Sequence, residues 1–124
     1  MKVSRARFER LVETALADIP APFRELIVDL EISVKAAPGR EAGRWRGSRT
    51  LLGLYQGLQR AEMLSPYSGS HPPARIILYQ RNIESLCADE GEVSRQVRIT
   101  LRHELAHHFG FSDRDLEEKW PEGA

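Results

Sequence analysis

Cysteine is almost absent from this sequence, since Cys87 is the single one among 124 residues. One cysteine cannot build a disulfide framework, so we predict a small buried thiol in a reducing compartment. No apolar run approaches the roughly 20 residues of a transmembrane helix. The first ten residues carry charges with no apolar run behind them, unlike a signal peptide. These absences predict a cytoplasmic protein without a membrane partner.

Net charge is absent as well. The 18 lysines and arginines balance the 18 aspartates and glutamates, so no overall field favours a nucleic acid, and we expect no nucleic-acid partner. The length suits one domain with a real core. Because there is no internal repeat and no low-complexity tract, we predict a single domain over residues 1–124. These patterns leave the oligomeric state open.

A motif that begins at His103 carries the chemical information. It reads H-E-x-x-H-x-x-G-x-x-D. Residues four apart lie on one face of a helix, so His103 and His107 can present two imidazoles to one ion. Glu104 lies about 100° round the helix from His103, where a carboxylate can reach a metal-bound water without ligating the metal. This arrangement is typical of a zinc hydrolase.

The end of the motif explains how a third ligand could reach the site. Gly110 can take the left-handed conformation that usually ends a helix. The turned chain can then bring Asp113 back toward His103 and His107. H-E-x-x-H alone is weak evidence, whereas the extended motif is much more specific. An ordinary amphipathic helix with surface histidines is the alternative interpretation.

A third histidine of the same stretch has a different environment. The residues that form one apolar stripe of the helix are Val97, Leu101, Leu105 and Phe109. His108 falls inside that stripe, and the two histidines of the motif point away from it. We therefore predict that His108 is buried and hydrogen-bonded and does not ligate the metal.

Hydrophobic periodicity predicts the remaining elements. Apolar residues recur every three or four positions between Phe8 and Ile19, which predicts a helix capped by Ser4 and stopped by Pro20. Alternation over 26–34 predicts a half-buried strand. The other predicted elements are strands over 50–57 and 74–80, a short helix capped by Asn82, a helix capped by Asp89 that ends at Phe109, and a polar helix within 114–124.

Other stretches keep more than one interpretation. Residues 35–49 hold five basic residues and one acid and are predicted to be a loop. Within it, Trp45 could stack on a nucleobase, cover the metal cleft or pack on the surface. His71, in a second predicted loop, could reach the metal site or lie on the surface. Gly53 indicates a bulge or the close approach of another backbone.

With these residues in hand, the chain resembles the minimal zincin-like metallopeptidase family of small bacterial proteins. The resemblance extends from the helix that ends at Pro20 through 51–57 and 76–79 to the most specific block, 103–110. It implies an α+β, zincin-like fold, in which a small twisted mixed sheet packs against the N-terminal helix and the metal-site helix.

The same resemblance implies a set of site residues. Zinc would be held by His103, His107 and Asp113, and Glu104 would be the catalytic residue. The leading prediction is therefore a zinc-dependent peptidase that cleaves a peptide or protein substrate with a zinc-activated water and Glu104 as general base.

Two alternative functions remain open at this point. The chain is small, and its methionines, Met1 and Met63, both precede the motif, so the methionine turn of larger relatives is missing. These features favour a non-catalytic zincin-like binding module. A metal-dependent ribonuclease is the third hypothesis, with the basic stretch 35–49 in its favour and Glu104 and Asp113 against it.

Overall fold

The computed structural model of the protein describes residues 1–57 and 73–121. The prediction for His71 lies outside these residues. The elements, in chain order, are α1 (Arg5–Ala17), α2 (Ala21–Arg24), β1 (Leu30–Lys35), a 3-10 helix (Arg40–Trp45), β2 (Gly53–Gln56), β3 (Ala74–Tyr79), α3 (Gln80–Glu84), α4 (Glu90–Phe109) and α5 (Asp113–Lys119). Of the helices within the described ranges, none is both long and apolar enough to cross a membrane.

The three strands form one twisted mixed sheet in the order β1-β3-β2. β1 runs parallel to β3, with Leu30 opposite Ala74, and β2 runs antiparallel to β3, with Gly53 opposite Leu78. Residues 76–79 of β3 are fully buried, as a central strand covered on both faces must be. This sheet confirms the predicted α+β, zincin-like fold class.

One face of the sheet packs against α1 and α4. Ser4 caps α1 by accepting a hydrogen bond from the amide of Arg7, as predicted, and the apolar side of α1 then faces inward. The buried side chains that meet here include Phe8, Leu11 and Val12 of α1, Ile76 and Leu78 of β3, and Val93, Val97, Leu101 and Leu105 of α4. The predicted packing of the sheet against the N-terminal and metal-site helices is therefore confirmed.

The other face of the sheet carries a second group of contacts, centred on Glu41. Its carboxylate accepts hydrogen bonds from Lys35 Nζ at 2.9 Å, from the Gly39 amide at 2.8 Å and from Tyr79 Oη at 2.8 Å. These donors, Lys35 foremost, lower the pKa of Glu41 to about 2. Residues 35–49, predicted as a loop, therefore contain an ordered 3-10 helix fixed to the sheet.

The first strand is shorter than predicted. The sequence predicts a strand over 26–34, whereas β1 begins at Leu30. The amides of Leu26 and Ile27 bond back to Phe23 and Arg24 in the turn that follows α2, an element that the sequence did not predict. Asp29 then takes a positive φ of 50°, which interrupts an extended chain.

Contrary to the sequence prediction, Asn82 does not cap a helix but binds backbone carbonyl groups. It lies inside α3 and does not cap it. Its side-chain amide donates to the carbonyl oxygens of Ser48 at 2.9 Å and Leu51 at 2.7 Å. Asn82 therefore satisfies two carbonyl groups just before β2 and ties that segment to α3.

Candidate metal centre and active site

Both ends of α4 are fixed by the residues that the sequence indicates. Asp89 caps the first turn by accepting a hydrogen bond from the amide of Glu92 at 2.9 Å. Gly110 ends the helix in the left-handed conformation with φ 77°, which glycine adopts without strain. The motif residues 103–107 therefore lie in the last two turns of an intact helix.

His103 and His107 lie side by side on the exposed surface of α4, with their ring centroids 5.0 Å apart. Partial burial, together with the nearby positive charge of His103, lowers the pKa of His107. A lowered pKa keeps that imidazole neutral near pH 7, and a metal ligand must be neutral. Two adjacent, solvent-accessible imidazoles of this kind suit a zinc ion.

Glu104 is the chemically unusual residue of the site. It is 7% exposed, and burial raises the pKa of its carboxyl group to about 7. Within residues 1–57 and 73–121, its carboxylate accepts no hydrogen bond. Its Oε2 lies 4.0 Å from His107 Nδ1, which is too far for one. A carboxyl group that is half ionised near neutral pH is suited to take up and release a proton.

β2 determines how closely the sheet approaches Glu104. A Cβ atom built on Gly53 would lie 3.2 Å from Glu104 Cγ and 3.0 Å from Thr100 Cγ2. The prediction of a close approach at Gly53 is correct, although the neighbours are mainly helix side chains. The missing side chain lets β2 cover one side of Glu104 and so contributes to its burial.

Asp113 lies beyond the turn, as the first residue of α5. Ser112 and Asp115 form a reciprocal capping box around it, so the position of Asp113 is fixed by the start of that helix. Its charge raises the pKa of His107, against the two effects that lower it. No three metal-binding side chains in the described ranges lie close enough together to hold an ion. The third ligand therefore stays a prediction.

His108 is fully buried, as predicted. Its Nδ1 shares a hydrogen bond of 2.9 Å with Tyr55 Oη. The ring of Tyr55 also meets the ring of His107 edge-on at 6.4 Å. Sequence reasoning missed Tyr55, although the alternation of β2 places it on the same face as Gly53 and therefore toward α4.

Comparison with known protein families gives a match. A sequence model of the zincin-like metallopeptidase family matches residues 27–121. The match includes all three strands and the whole of α4, whereas α1 and α2 precede it. No curated protein matches the chain.

Proposed function

The chain belongs to the zincin-like metallopeptidase family, and on this premise we propose that it is a zinc-dependent peptidase. The substrate would be a peptide or a protein. One observation carries the proposal: a buried carboxyl group with a pKa near 7, Glu104, lies beside two accessible imidazoles on the same helix. This combination supplies a proton acceptor next to two metal ligands, which peptide hydrolysis by a zincin requires.

His103 and His107 would hold the zinc ion, with Asp113 as the third ligand. The donor set fits zinc because two imidazoles and a carboxylate are among its usual ligands. When bound, zinc polarises a substrate carbonyl and makes a water molecule more acidic. The exposure of both histidines leaves room for a substrate beside them.

Glu104 would act as the general base and then as the general acid. It would accept the proton of the attacking water and deliver it to the leaving amine. A pKa of about 7 suits both steps, because the carboxylate is basic enough to take the proton and acidic enough to return it. Burial against Gly53 keeps the carboxylate in position.

β2 would align the substrate. It is an edge strand of the sheet, and within the described residues it pairs with β3 alone. An extended peptide could add to this edge as another strand, so that its backbone is held by main-chain hydrogen bonds. The edge lies directly beside Glu104, which would place a scissile bond near the proposed metal site.

The cysteine supports the proposed cytoplasmic location. Cys87 is free and buried, and burial raises the pKa of its thiol. Such a thiol is unreactive and hydrophobic in character, which is compatible with a reducing compartment.

Glu104→Gln tests the proposal, because the change keeps the size of the side chain and removes its ability to accept a proton. With a broad library of unstructured peptides, we expect the variant to lose turnover by a factor on the order of 10²–10⁴. Zinc content, measured by elemental analysis, should be unchanged. The control is Glu117→Gln, the same substitution at an exposed position of α5, which should cleave as wild type does.

Two results would contradict the proposal. Cleavage that is unchanged in Glu104→Gln would mean that another base, or a contaminant, is responsible. No cleavage by zinc-loaded wild type above a chelated control, over the whole library, would leave the non-catalytic binding module as the better hypothesis.

A further inference from the structure

A groove separate from the metal site lies between the end of α1 and α4. Its volume is about 720 Å³, within the usual range of ligand-binding clefts. The charged residues of its lining, among those described, are Asp18, Arg95, Arg98 and Arg102. His103, Glu104 and His107 do not line it. The α1 wall precedes residue 27, where the family match begins, so this groove is partly built by a segment outside that match.

Most of the charged residues that line the groove are basic. Arg95, Arg98 and Arg102 follow one another at intervals of three and four residues and therefore share one face of α4. Asp18 is the one acidic residue among the described residues of the lining. Neither Asp18 nor Arg98 belongs to an ion pair within the described chain, and Arg98 is exposed. Since the whole chain has no net charge, this cluster is a local feature.

Arg102 is held in place at the end of this row. Its guanidinium donates from both Nε and Nη2 to the carbonyl oxygen of Trp120 and lies 5.9 Å from the Trp120 ring centroid. A guanidinium has five N–H donors, so three remain for an anion. A donor that is already oriented loses little freedom on binding.

The floor of the groove is apolar. Its buried part includes Ile19, which is 4% exposed, and Trp120, which is 7% exposed. Its accessible part includes Pro20 and Ile99, which line the groove and are half-buried. An apolar floor beneath guanidinium groups suits a ligand with both a hydrophobic side chain and a carboxylate. It does not suit single-stranded nucleic acid, because base stacking requires an accessible aromatic face, and Trp120 is covered.

We propose that this groove docks a segment of a partner protein in which acidic and hydrophobic side chains are neighbours. The acidic groups bind Arg98 and Arg102, and the hydrophobic side chain covers Pro20 and Ile99. From Arg98 to Arg102 the helix rises about 6 Å, which matches about two extended residues of a bound segment. Docking is independent of the metal site and of the proposed peptidase activity.

The experiment uses the full chain with Trp45→Phe, which leaves Trp120 as the one tryptophan and makes its fluorescence a local reporter of the groove. The probes are peptides with blocked termini. Each peptide has four central positions flanked by glycines, and the set places Glu and Leu at these positions in every order. The best binder is compared with its Glu→Gln and Leu→Ser versions. Excess chelator is present throughout, so that neither the metal site nor cleavage contributes.

We expect the Gln and the Ser peptides both to bind at least about tenfold more weakly than the parent peptide. Arg98→Glu should weaken the parent peptide by at least about tenfold. Arg10→Glu, the same charge change at an exposed position of α1 that does not line the groove, should stay within about twofold. Thermal melting verifies that both variants are folded.

Several outcomes overturn the inference. It fails if no peptide of the set changes Trp120 fluorescence at millimolar concentration, if the Gln version binds as well as the parent, or if Arg98→Glu has no effect. It also fails if an oligoribonucleotide of similar length binds more tightly than the best peptide and depends on Arg98, since the groove would then bind nucleic acid. Removing the chelator should change nothing, and a metal-dependent signal would assign the binding to the metal site.

Discussion

Glu104 and Glu41 lie against opposite faces of the same sheet. Gly53 is paired with Leu78 of β3 and faces Glu104. Tyr79, the residue after Leu78, donates a hydrogen bond to Glu41. Successive side chains of a strand point to opposite faces of the sheet. Leu78 and Tyr79 therefore point to different faces, and the two carboxyl groups lie on opposite sides of β3. Their pKa values move in opposite directions, to about 7 for Glu104 and to about 2 for Glu41.

The number of hydrogen-bond donors, and not burial alone, explains this difference. The Glu41 carboxylate receives a lysine ammonium, a backbone amide and a tyrosine hydroxyl, which together stabilise its charge. Glu104 is buried, and among the described residues it has no such donors, so its charged form is destabilised. A carboxylate whose bonds are all satisfied holds structure together. One that is buried and under-satisfied retains capacity for chemistry.

The largest expected effect comes from removing the neighbour of Glu104 that would bind the metal. His107→Ala should abolish stoichiometric zinc, because the site loses one of its two imidazoles. Elemental analysis of protein dialysed against dilute zinc measures the zinc content. Glu41→Gln, on the other face of the sheet, should keep wild-type zinc. Wild-type occupancy in His107→Ala would place the metal site elsewhere.

Gly53→Ala disturbs Glu104 through packing. The new Cβ would lie 3.0 Å from Thr100 Cγ2 and 3.2 Å from Glu104 Cγ, so β2 must move away from α4. We expect a loss of about 1–3 kcal/mol in the free energy of unfolding, as for other overpacked sites, and a fall in turnover. Urea denaturation and the peptide assay measure these effects.

Zinc content gives the control for Gly53→Ala, because neither histidine of the motif is among the residues nearest to the new methyl group. It should stay at the wild-type level. A variant with unchanged stability and unchanged turnover would mean that the contact of β2 with Glu104 has no role in positioning the base.

The contrast between the two glutamates also marks what the sequence could predict. The placement of Glu104 beside His103 and His107 follows from local spacing, since a helix fixes the relative directions of these three residues. The capping residues Asp89 and Gly110 are equally local signals. These are short-range relations along one element, and the structure agrees with them.

Long-range partners leave no such trace. Glu41 appears in the sequence as one acid in a basic loop, and its partner Tyr79 is 38 positions away. The bond of Tyr55 to His108 spans 53 positions. Positions so far apart meet only when the sheet is assembled, and one sequence carries no signal of that pairing. Asp113 depends in the same way on the turn after Gly110.

The raised pKa of Glu104 should affect stability when the metal is removed. Above pH 4.5 the unfolded chain ionises this carboxyl group while the folded protein keeps it protonated up to about pH 7. Stability should therefore fall as pH rises from 4.5 to 7, by about 2–3 kcal/mol from this group. Urea denaturation in the presence of chelator compares wild type with Glu104→Gln at each pH. The difference between their free energies of unfolding isolates this group, because the contributions of the other titrating groups cancel. A difference that does not depend on pH would refute the burial of Glu104 and its lack of a hydrogen-bond donor among residues 1–57 and 73–121.

Glu41 should produce the smaller and opposite effect. Its folded-state pKa of about 2 lies below the ordinary value of 4.5, so its contribution is complete above pH 4.5 and is lost as pH falls toward 2. Because the Lys35 side chain is 42% exposed, solvent weakens the pairing, and we expect about 1 kcal/mol. Glu41→Gln should already have lost this contribution to the free energy of unfolding at pH 6, and its stability should fall less steeply toward acid pH. Urea denaturation between pH 6 and pH 2 measures both effects. Glu31→Gln, at an exposed position of β1, is the matched control and should follow wild type. If Glu41→Gln also follows wild type over the whole range, the three donors do not stabilise the charge of Glu41, and the contrast with Glu104 rests on burial alone.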